Sequence, residues 1–353
     1  MNIDKLPFYI RFTIVVVCLV FTVIILREAS SLLIPLFAGL LLAILLLPIV
    51  KFFERIHINR GIACFIAILC FVIIFAFVNY FLTAEISSFA KELPHITNKI
   101  QGVFASLQQW VTAKFNVNNS QQSDYLNSSY NGMLNGITSF LYRLFFSLGN
   151  IVVWILFVCI YAFFIMYYRR LLVRFVINLV EKEYSHEMPA IISGNKTIIK
   201  SYILGLLAEF AIMLLLISSL LFLLGIKYAL LLAIIASLLN IIPYIGIYTA
   251  ILLAMLVTYA NSSGSAAVTV GIVLLSIHLV DGIILLPRIV GSRMKMNPFI
   301  TIVAVIVGDI VWGIPGMFLF IPLAAMLKII FENISSLHAW AILFGEEEKK
   351  GKG

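Results

Sequence analysis

The chain has 353 residues, of which 63% are hydrophobic and only 11% are charged. Soluble domains are roughly half apolar and about a quarter charged, so this composition excludes a water-soluble globular protein. The net charge of +8 does not indicate a nucleic-acid partner, because the basic residues lie in the gaps between apolar stretches, as the positive-inside rule of membrane proteins requires.

Six apolar stretches are each long enough to cross a bilayer as a single helix, for which about 20 residues are needed. Two further apolar blocks, 228–259 and 298–331, are too long for one ordinary helix and are interrupted by proline and glycine. We therefore predict an all-α polytopic membrane protein with six full transmembrane helices and two broken blocks, or about eight segments by hydropathy. The six stretches are 8–26, 32–50, 62–82, 148–168, 201–224 and 266–286.

Two polar regions lie between these spans. Residues 83–147 start with apolar side chains at helical spacing and continue into a stretch from Asn116 to Asn135 that is rich in Asn, Ser and Gln, which predicts an amphipathic helix followed by a loop. Residues 169–200 carry six basic side chains and predict a basic helical segment close to the lipid headgroups. The positive-inside rule places this segment and both chain termini in the cytoplasm, and residues 83–147 outside.

The two broken blocks are either kinked spans or re-entrant hairpins. Pro243 interrupts the first block and Pro315 the second, and the arms on either side are each predicted to be too short to cross the hydrocarbon layer. Three basic residues after the sixth span would lie outside for kinked spans and inside for hairpins, so the positive-inside rule favours hairpins. Non-helical backbone at that depth must be buried in protein or line a water-filled cavity. The three basic residues are Arg288, Arg293 and Lys295.

Residues 201–331 contain an internal repeat. Glu209 lies 34 residues before Pro243, and Asp281 lies 34 residues before Pro315. If both blocks are hairpins, the two halves have opposite orientations. Inverted repeats with paired broken helices are typical of secondary transporters, in which the substrate binds between the breaks. The predicted regions are 1–82 with the first three membrane helices, 83–147 as an extracytoplasmic segment, 148–200 with the fourth helix and the basic segment, 201–331 as a transport core of two inverted repeats (201–259 and 266–331), and 332–353 as a cytoplasmic tail.

Distinctive motifs surround the two breaks and fill the last third of the chain. They are Asn240-Ile-Ile-Pro243-Tyr-Ile-Gly246, Asp281-Gly-Ile-Ile-Leu-Leu-Pro287, Asn297-Pro298, Gly308 and Trp312-Gly313-Ile-Pro315-Gly316. With these motifs the chain resembles the AI-2E transporter family, the autoinducer-2 exporter-like membrane proteins of bacteria. The resemblance extends over nearly the whole chain. It implies a multi-pass protein of the bacterial inner membrane that works by elevator-like alternating access and assembles as a homo-oligomer, specifically a pentamer.

The resemblance implies two kinds of transport, since family members have been linked to autoinducer-2 export and to sodium–proton antiport. This chain departs from the common family pattern at three positions. Gly282 replaces a common Asn, Asp309 occupies a position that is usually small and uncharged, and Glu209 replaces a frequent Gln. The added acidic groups favour coupling to an ion.

Ionisable groups within membrane segments are rare, because each costs about 2.5–3.5 kcal/mol on insertion scales. Three acidic residues lie within the apolar blocks and spans, and they are candidates to bind a proton, a cation or a polar solute. They are Glu209, Asp281 and Asp309. A purely structural role, such as bonding across a helix interface or capping a break, is the alternative. Backbone groups at the breaks are further candidates. The candidate substrate- or ion-binding residues are Glu209, Asn240, Pro243, Gly246, Asp281, Asp309, Gly313, Pro315 and Gly316.

The sequence predicts a secondary transporter that exports a small polar solute, such as an autoinducer-2-like signal, across the membrane. A sodium(lithium)/proton antiporter is the alternative, and a non-transporting membrane scaffold is an alternative of another class. An enzyme is not predicted, because the chain has no HExxH motif, no phosphate-binding P-loop and no Gly-x-Gly-Asp motif of membrane aspartyl proteases. No catalytic residue, cofactor or metal is predicted. The predicted partners are the solute, H⁺ or Na⁺, and lipid.

Overall fold

The computed structural model describes residues 7–115, 132, 152–180, 186–241, 245–285, 288 and 296–345. Within these ranges helices dominate, and the extended pairing is an isolated bridge between Met296 and Gly345, which confirms the all-α prediction. The helices are α1 (Phe8–Glu28), α2 (Ser30–Arg55), α3 (Arg60–Phe115), α4 (Val152–Tyr167), α5 (Arg169–Leu179), α6 (Met188–Leu223), α7 (Ala229–Asn240), α8 (Ile245–Asn261), α9 (Gly264–Val280, continued by the π-helical turn Asp281–Leu285), α10 (Pro298–Trp312), α11 (Ile314–Asn333) and α12 (His338–Phe344).

Among the described residues, six helices are long and apolar enough to cross a membrane, so the prediction of a polytopic membrane protein is confirmed. They are α1, α2, the first part of α3 (Arg60–Phe81), α6, α9 with its π-helical turn, and α11. The predicted fourth span appears as α4, which is bent by 74° from α5, while residues 148–151 lie outside the described part. The prediction that both arms of each broken block are too short is wrong for α11, because that helix runs for 20 residues.

The predicted amphipathic segment is not a separate helix. The third span continues without a break to Phe115, so α3 has 56 residues and a length of about 84 Å at 1.5 Å per residue. The predicted loop from Asn116 to Asn135 lies outside the described residues, apart from position 132.

The predicted basic segment is divided between α5 and the first three turns of α6. Helix α5 has no buried residue, and its long apolar side chains are exposed beside its arginines, as in helices that lie in a membrane interface. Its first residue is anchored, because Arg169 Nη2 donates to Glu54 Oε2 at 2.6 Å. Arg60 Nε donates to the other oxygen of Glu54 at 3.3 Å, so one carboxylate joins the start of α5 to the turn between α2 and α3.

The chain forms two compact units with interleaved segments. The first unit comprises Met1–Ile68, Ile155–Gly205 and Val290–Gly353. Its core joins α2, α6 and α11 through three buried residues. Two hydrogen bonds between elements support it: Tyr202 Oη donates to the Phe318 carbonyl at 3.0 Å, and Trp312 Nε1 donates to the Leu26 carbonyl at 2.9 Å. The core residues are Leu41, Ile199 and Leu319.

The second unit comprises Leu69–Trp154 and Leu206–Ile289. Its core is built by the second half of α6 and by α7, α8 and α9. Many of its buried positions are alanines, and small residues allow membrane helices to approach closely where lipid provides no hydrophobic driving force. The same effect is visible at Gly271 of α9, where an added Cβ would come within 2.6 Å of Met255 Sδ on α8.

Both apolar blocks are broken where the sequence predicts. Helix α7 ends at Asn240 and α8 begins at Ile245, and the two helices pack against each other in the core of the second unit. The break at Pro243 lies outside the described residues. In the other block the helix is interrupted at Gly313 alone, whose φ of 62° is accessible to glycine at little cost.

The second block is a helical hairpin and not a kinked span. A continuous helix would separate Gly308 and Gly316 by about 12 Å along its axis. Instead their backbones are in contact, because a Cβ built on either glycine would collide with the carbonyl of the other. The chain therefore reverses direction at Gly313. Pro315 lies in the first turn of α11, where its missing N–H group removes no helical hydrogen bond.

Candidate functional site

Three of the predicted site residues come together in the second unit. Glu209 lies within α6, Asn240 is the last residue of α7, and Asp281 is the first residue of the π-helical turn that continues α9. Asn240 is separated from the two acids by 31 and 41 positions in the sequence. The packing of α6, α7 and α9 in one core brings their polar positions together at the first helix break. We call these three residues the carboxamide cluster.

The amide of Asn240 joins the two acids. Its Nδ2 donates to Glu209 Oε1 at 3.3 Å and to Asp281 Oδ2 at 3.0 Å. An amide nitrogen carries two hydrogens, so both can be used at once. The acids are enclosed, with 6% of Glu209 and 3% of Asp281 exposed. The break in the apolar block therefore positions the one side chain that links the two buried carboxyls.

Each carboxyl also keeps one oxygen without a hydrogen-bond partner among the described residues. These atoms are Glu209 Oε2 and Asp281 Oδ1, and both are buried. A buried acceptor without a partner costs about 1–3 kcal/mol, more for a charged group, so most such atoms in proteins have one. The cluster thus offers two acceptors to a proton, a cation or the hydroxyl groups of a solute.

Two further polar groups precede the cluster residues by three positions on the same helices. Ser237 on α7 and His278 on α9 have the buried atoms Oγ and Nδ1, which also lack partners within the described part of the chain. Residues three apart share a helix face. The His278 ring packs edge to face against Tyr248 of α8, with ring centroids 6.3 Å apart. The region around the carboxamide cluster therefore contains more polar atoms than the hydrogen bonds among the described residues use.

The backbone at Asp281 is unusual in the same region. Residues Asp281–Leu285 form a π-helical turn, a form that is rare and found frequently at functional sites. A Cβ on Gly282 would meet nothing within 4 Å, so the glycine is not required by packing. No group of three or more His, Cys, Asp or Glu residues arranged to hold a metal ion occurs among the described residues.

The other predicted site residues lie elsewhere. Gly246 is buried in the first turn of α8. Asp309 and the three residues around the second break belong to the first unit. The Asp309 side chain is exposed on the last turn of α10, and its carbonyl accepts a hydrogen bond from Gly313 N at 2.8 Å. Gly316 is in contact with Gly308, so its small size is used for helix packing.

Sequence reasoning missed Ser237 as a buried polar neighbour of the carboxamide cluster. A signal was available, because it is a lone hydroxyl in the apolar helix α7 and stands three residues before Asn240. It also missed the contact between Gly308 and Gly316, which requires a reversal of the chain that composition does not specify.

Comparison with known proteins places this arrangement in context. Residues 12–336 match the model of the AI-2E family transporters. The chain is similar to "Putative transport protein YueF" of Bacillus subtilis (strain 168), with 27% identity over 321 residues, covering 87% of this chain and 85% of YueF. It is also similar to "AI-2 transport protein TqsA" of Escherichia coli (strain K12), with 24% identity over 331 residues and 92% of each chain covered.

Proposed function

Because the chain belongs to the AI-2E family of transporters, we propose that this membrane transport protein is a secondary transporter that exports a small polar solute by alternating access. The observation that carries the proposal is the carboxamide cluster, in which Asn240 links two buried carboxyls and each carboxyl keeps one oxygen that no described residue hydrogen-bonds. Polar groups buried within membrane segments are costly and typically mark the path of a substrate or ion.

The chemistry of the cluster suits a solute with several hydroxyl groups. Glu209 Oε2 and Asp281 Oδ1 have no donor among the described residues, and hydroxyl groups would supply them. A sugar-like signal of the autoinducer-2 type presents such donors on a small frame. Asn240 would hold the two carboxyls at a set separation, so that the solute meets acceptors that are already positioned.

The finer parts of the mechanism belong to the same proposal. They are an elevator-like movement, a transport core at 201–331 with halves in inverted orientation, and re-entry of the two helical hairpins into the membrane. Assembly as a homo-pentamer in the bacterial inner membrane, with both termini in the cytoplasm, completes it. The breaks after Asn240 and at Gly313 support this set, since paired broken helices are found at the substrate sites of secondary transporters. Asp309, Gly313, Pro315 and Gly316 remain candidate contributors from the second hairpin, and Pro243 and Gly246 from the first.

A second candidate function is sodium(lithium)/proton antiport. It is favoured by the presence of two buried carboxyls in one cluster. Two ionised carboxylates in such a place need a compensating positive charge. A proton and a sodium ion can supply it in turn, and alternation between them at a site with changing access exchanges one ion for the other.

Transport by isosteric variants tests the site. We expect Glu209→Gln and Asp281→Asn to reduce solute uptake into everted membrane vesicles at least about tenfold, since a hydrogen bond to a charged partner contributes about 1.5–3 kcal/mol. Both amides keep an acceptor oxygen for Asn240, so folding is preserved. The matched control is Glu28→Gln, which makes the same chemical change at an exposed position near the end of α1. If all three variants transport as well as the wild type, the cluster is not the site.

The same vesicles separate the two functions. Antiport predicts that added sodium or lithium collapses a preformed proton gradient, and that Glu209→Gln abolishes this response while Glu28→Gln does not. Solute uptake without any response to either ion would exclude antiport and leave export.

Membrane topology has its own test. Hairpins place position 293 in the cytoplasm, so a cysteine introduced by Arg293→Cys should react with an impermeant maleimide in everted vesicles and not in intact cells. Reaction in intact cells alone would refute the re-entrant arrangement while leaving the transport assays to decide the function.

A further inference from the structure

A second polar site lies on the first half of α6, in the first unit. A cavity of about 410 Å³ is lined there by lysines and hydroxyl residues, with a leucine at one end. Its size falls within the range of small-molecule sites, about 300–1,000 Å³. The lining residues are Ser193, Lys196, Thr197, Lys200, Ser201 and Leu204.

The spacing of the lining residues places them on one face of the helix. Successive members are separated by three or one positions, so that each lies three or four positions from another, which is the pattern of a single helical stripe. Thr197 Oγ1 donates to the Ser193 carbonyl at 2.9 Å, which leaves its oxygen as an acceptor. The hydroxyl groups of Ser193 and Ser201 are available as donors in the described structure. The cavity wall therefore combines two ammonium groups with hydroxyl donors.

Further positive charge surrounds Lys196. Lys51 of α2, Lys200 and Arg169 all lie close enough to repel its ammonium group. Arg169 is compensated by its ion pair with Glu54, which also pairs with Arg60. Within the described ranges, none of the ion pairs joins Lys51, Lys196 or Lys200 to an acid. Bringing them together on a partly enclosed surface costs energy that a bound anion would offset.

We propose that this cavity is a binding site for a phosphate-type oxyanion, presented by the headgroup of an anionic phospholipid. Lysines bind phosphate as point charges, and serine hydroxyls can donate to the remaining oxygens. Lipid is the favoured source because the cavity lies on a helix that is long and apolar enough to cross the membrane. Leu204 lines the cavity on the side of the apolar span, where an acyl chain would continue. Basic pockets on the cytoplasmic side of membrane helices are known to bind acidic headgroups.

Binding to the purified full-length protein in a neutral detergent tests the proposal. The probes are short-chain phosphatidylglycerol, short-chain phosphatidylcholine and inorganic phosphate, each titrated while the unfolding temperature is recorded. We expect phosphatidylglycerol to raise the unfolding temperature and phosphatidylcholine to have no effect. Stabilisation by inorganic phosphate equal to that by phosphatidylglycerol would show that the oxyanion site takes free phosphate and would overturn the lipid assignment.

Charge variants locate the site. Lys196→Gln combined with Lys200→Gln should weaken phosphatidylglycerol binding about 30-fold. Each basic residue near an anionic headgroup contributes about 1 kcal/mol, and about 2 kcal/mol for the pair corresponds to that factor. Lys196→Arg with Lys200→Arg keeps the charge and should keep binding. The matched control is Arg170→Gln with Arg174→Gln, which removes the same charge from α5.

Two results would overturn the proposal. One is equal phosphatidylglycerol binding by the wild type and the doubly neutralised α6 variant. The other is an equal loss of binding in the α5 control, which would indicate a general attraction to positive charge instead of a site. Without any ligand, the neutralised α6 variant should unfold at a higher temperature than the wild type because the repulsion at Lys196 is relieved. This measurement also shows that the variant folds.

Discussion

Replacing Asn240 by alanine removes the single amide that joins two buried carboxyls. Its Nδ2 donates to Glu209 Oε1 at 3.3 Å and to Asp281 Oδ2 at 3.0 Å. Values from soluble proteins, about 1.5–3 kcal/mol for a bond to a charged group, would give a loss of about 3–6 kcal/mol for the pair. Polar contacts between membrane helices contribute less, on average about 0.6 and at most about 1.7 kcal/mol each, because the unfolded state in the membrane also finds partners. We therefore expect a loss of about 1–3 kcal/mol.

The assay is reversible unfolding of the purified protein in mixed micelles by increasing sodium dodecyl sulfate, followed by tryptophan fluorescence and circular dichroism. The matched control is Ser237→Ala, one turn earlier on the same helix. Its Oγ is buried, with 1% of the residue exposed, and has no partner among the described residues. Removing an unsatisfied hydroxyl should leave the free energy of unfolding unchanged or raise it.

The difference in the free energy of unfolding between Asn240→Ala and Ser237→Ala shows whether the Asn240 bridge stabilises the protein. Both truncate a polar side chain of α7 to alanine, so any general effect of truncation cancels. If Asn240→Ala and Ser237→Ala have the same free energy of unfolding, the bridge contributes nothing to stability. The three residues would then be neighbours without energetic coupling, and the carboxamide cluster would lose its basis.

Two further predictions concern the first unit. Gly316→Ala should lower the free energy of unfolding by about 1–3 kcal/mol. The added Cβ would collide with the carbonyl oxygen of Gly308, and a backbone carbonyl cannot rotate away. The control is Gly102→Ala, whose Cβ meets nothing within 4 Å and which should be neutral or stabilising in the same assay. Trp312→Phe removes the N–H that donates to the Leu26 carbonyl at 2.9 Å and should cost about 1 kcal/mol, and an unchanged unfolding midpoint would show that this bond does not stabilise the unit.

The candidate site was only partly accessible from the sequence. Glu209 and Asp281 stand out because an acid inside an apolar span is costly, and Asn240 stands out because it directly precedes a proline-containing break. Asp309 satisfies the same criteria and yet lies in the other compact unit, exposed at the end of α10. Sequence position alone treats these acids alike, since it does not specify which helix faces meet.

The sequence by itself determined that this protein is built from apolar helices. It also determined the positions of most of these helices and the points at which two apolar blocks break. These features depend on local properties, namely hydrophobicity over about 20 residues and the backbone effects of proline and glycine. Tertiary structure alone decided that Asn240 links Glu209 to Asp281, and that the chain reverses at Gly313 so that two glycines touch. Those contacts join positions far apart in the sequence, and they depend on the packing of whole helices, which no local pattern encodes.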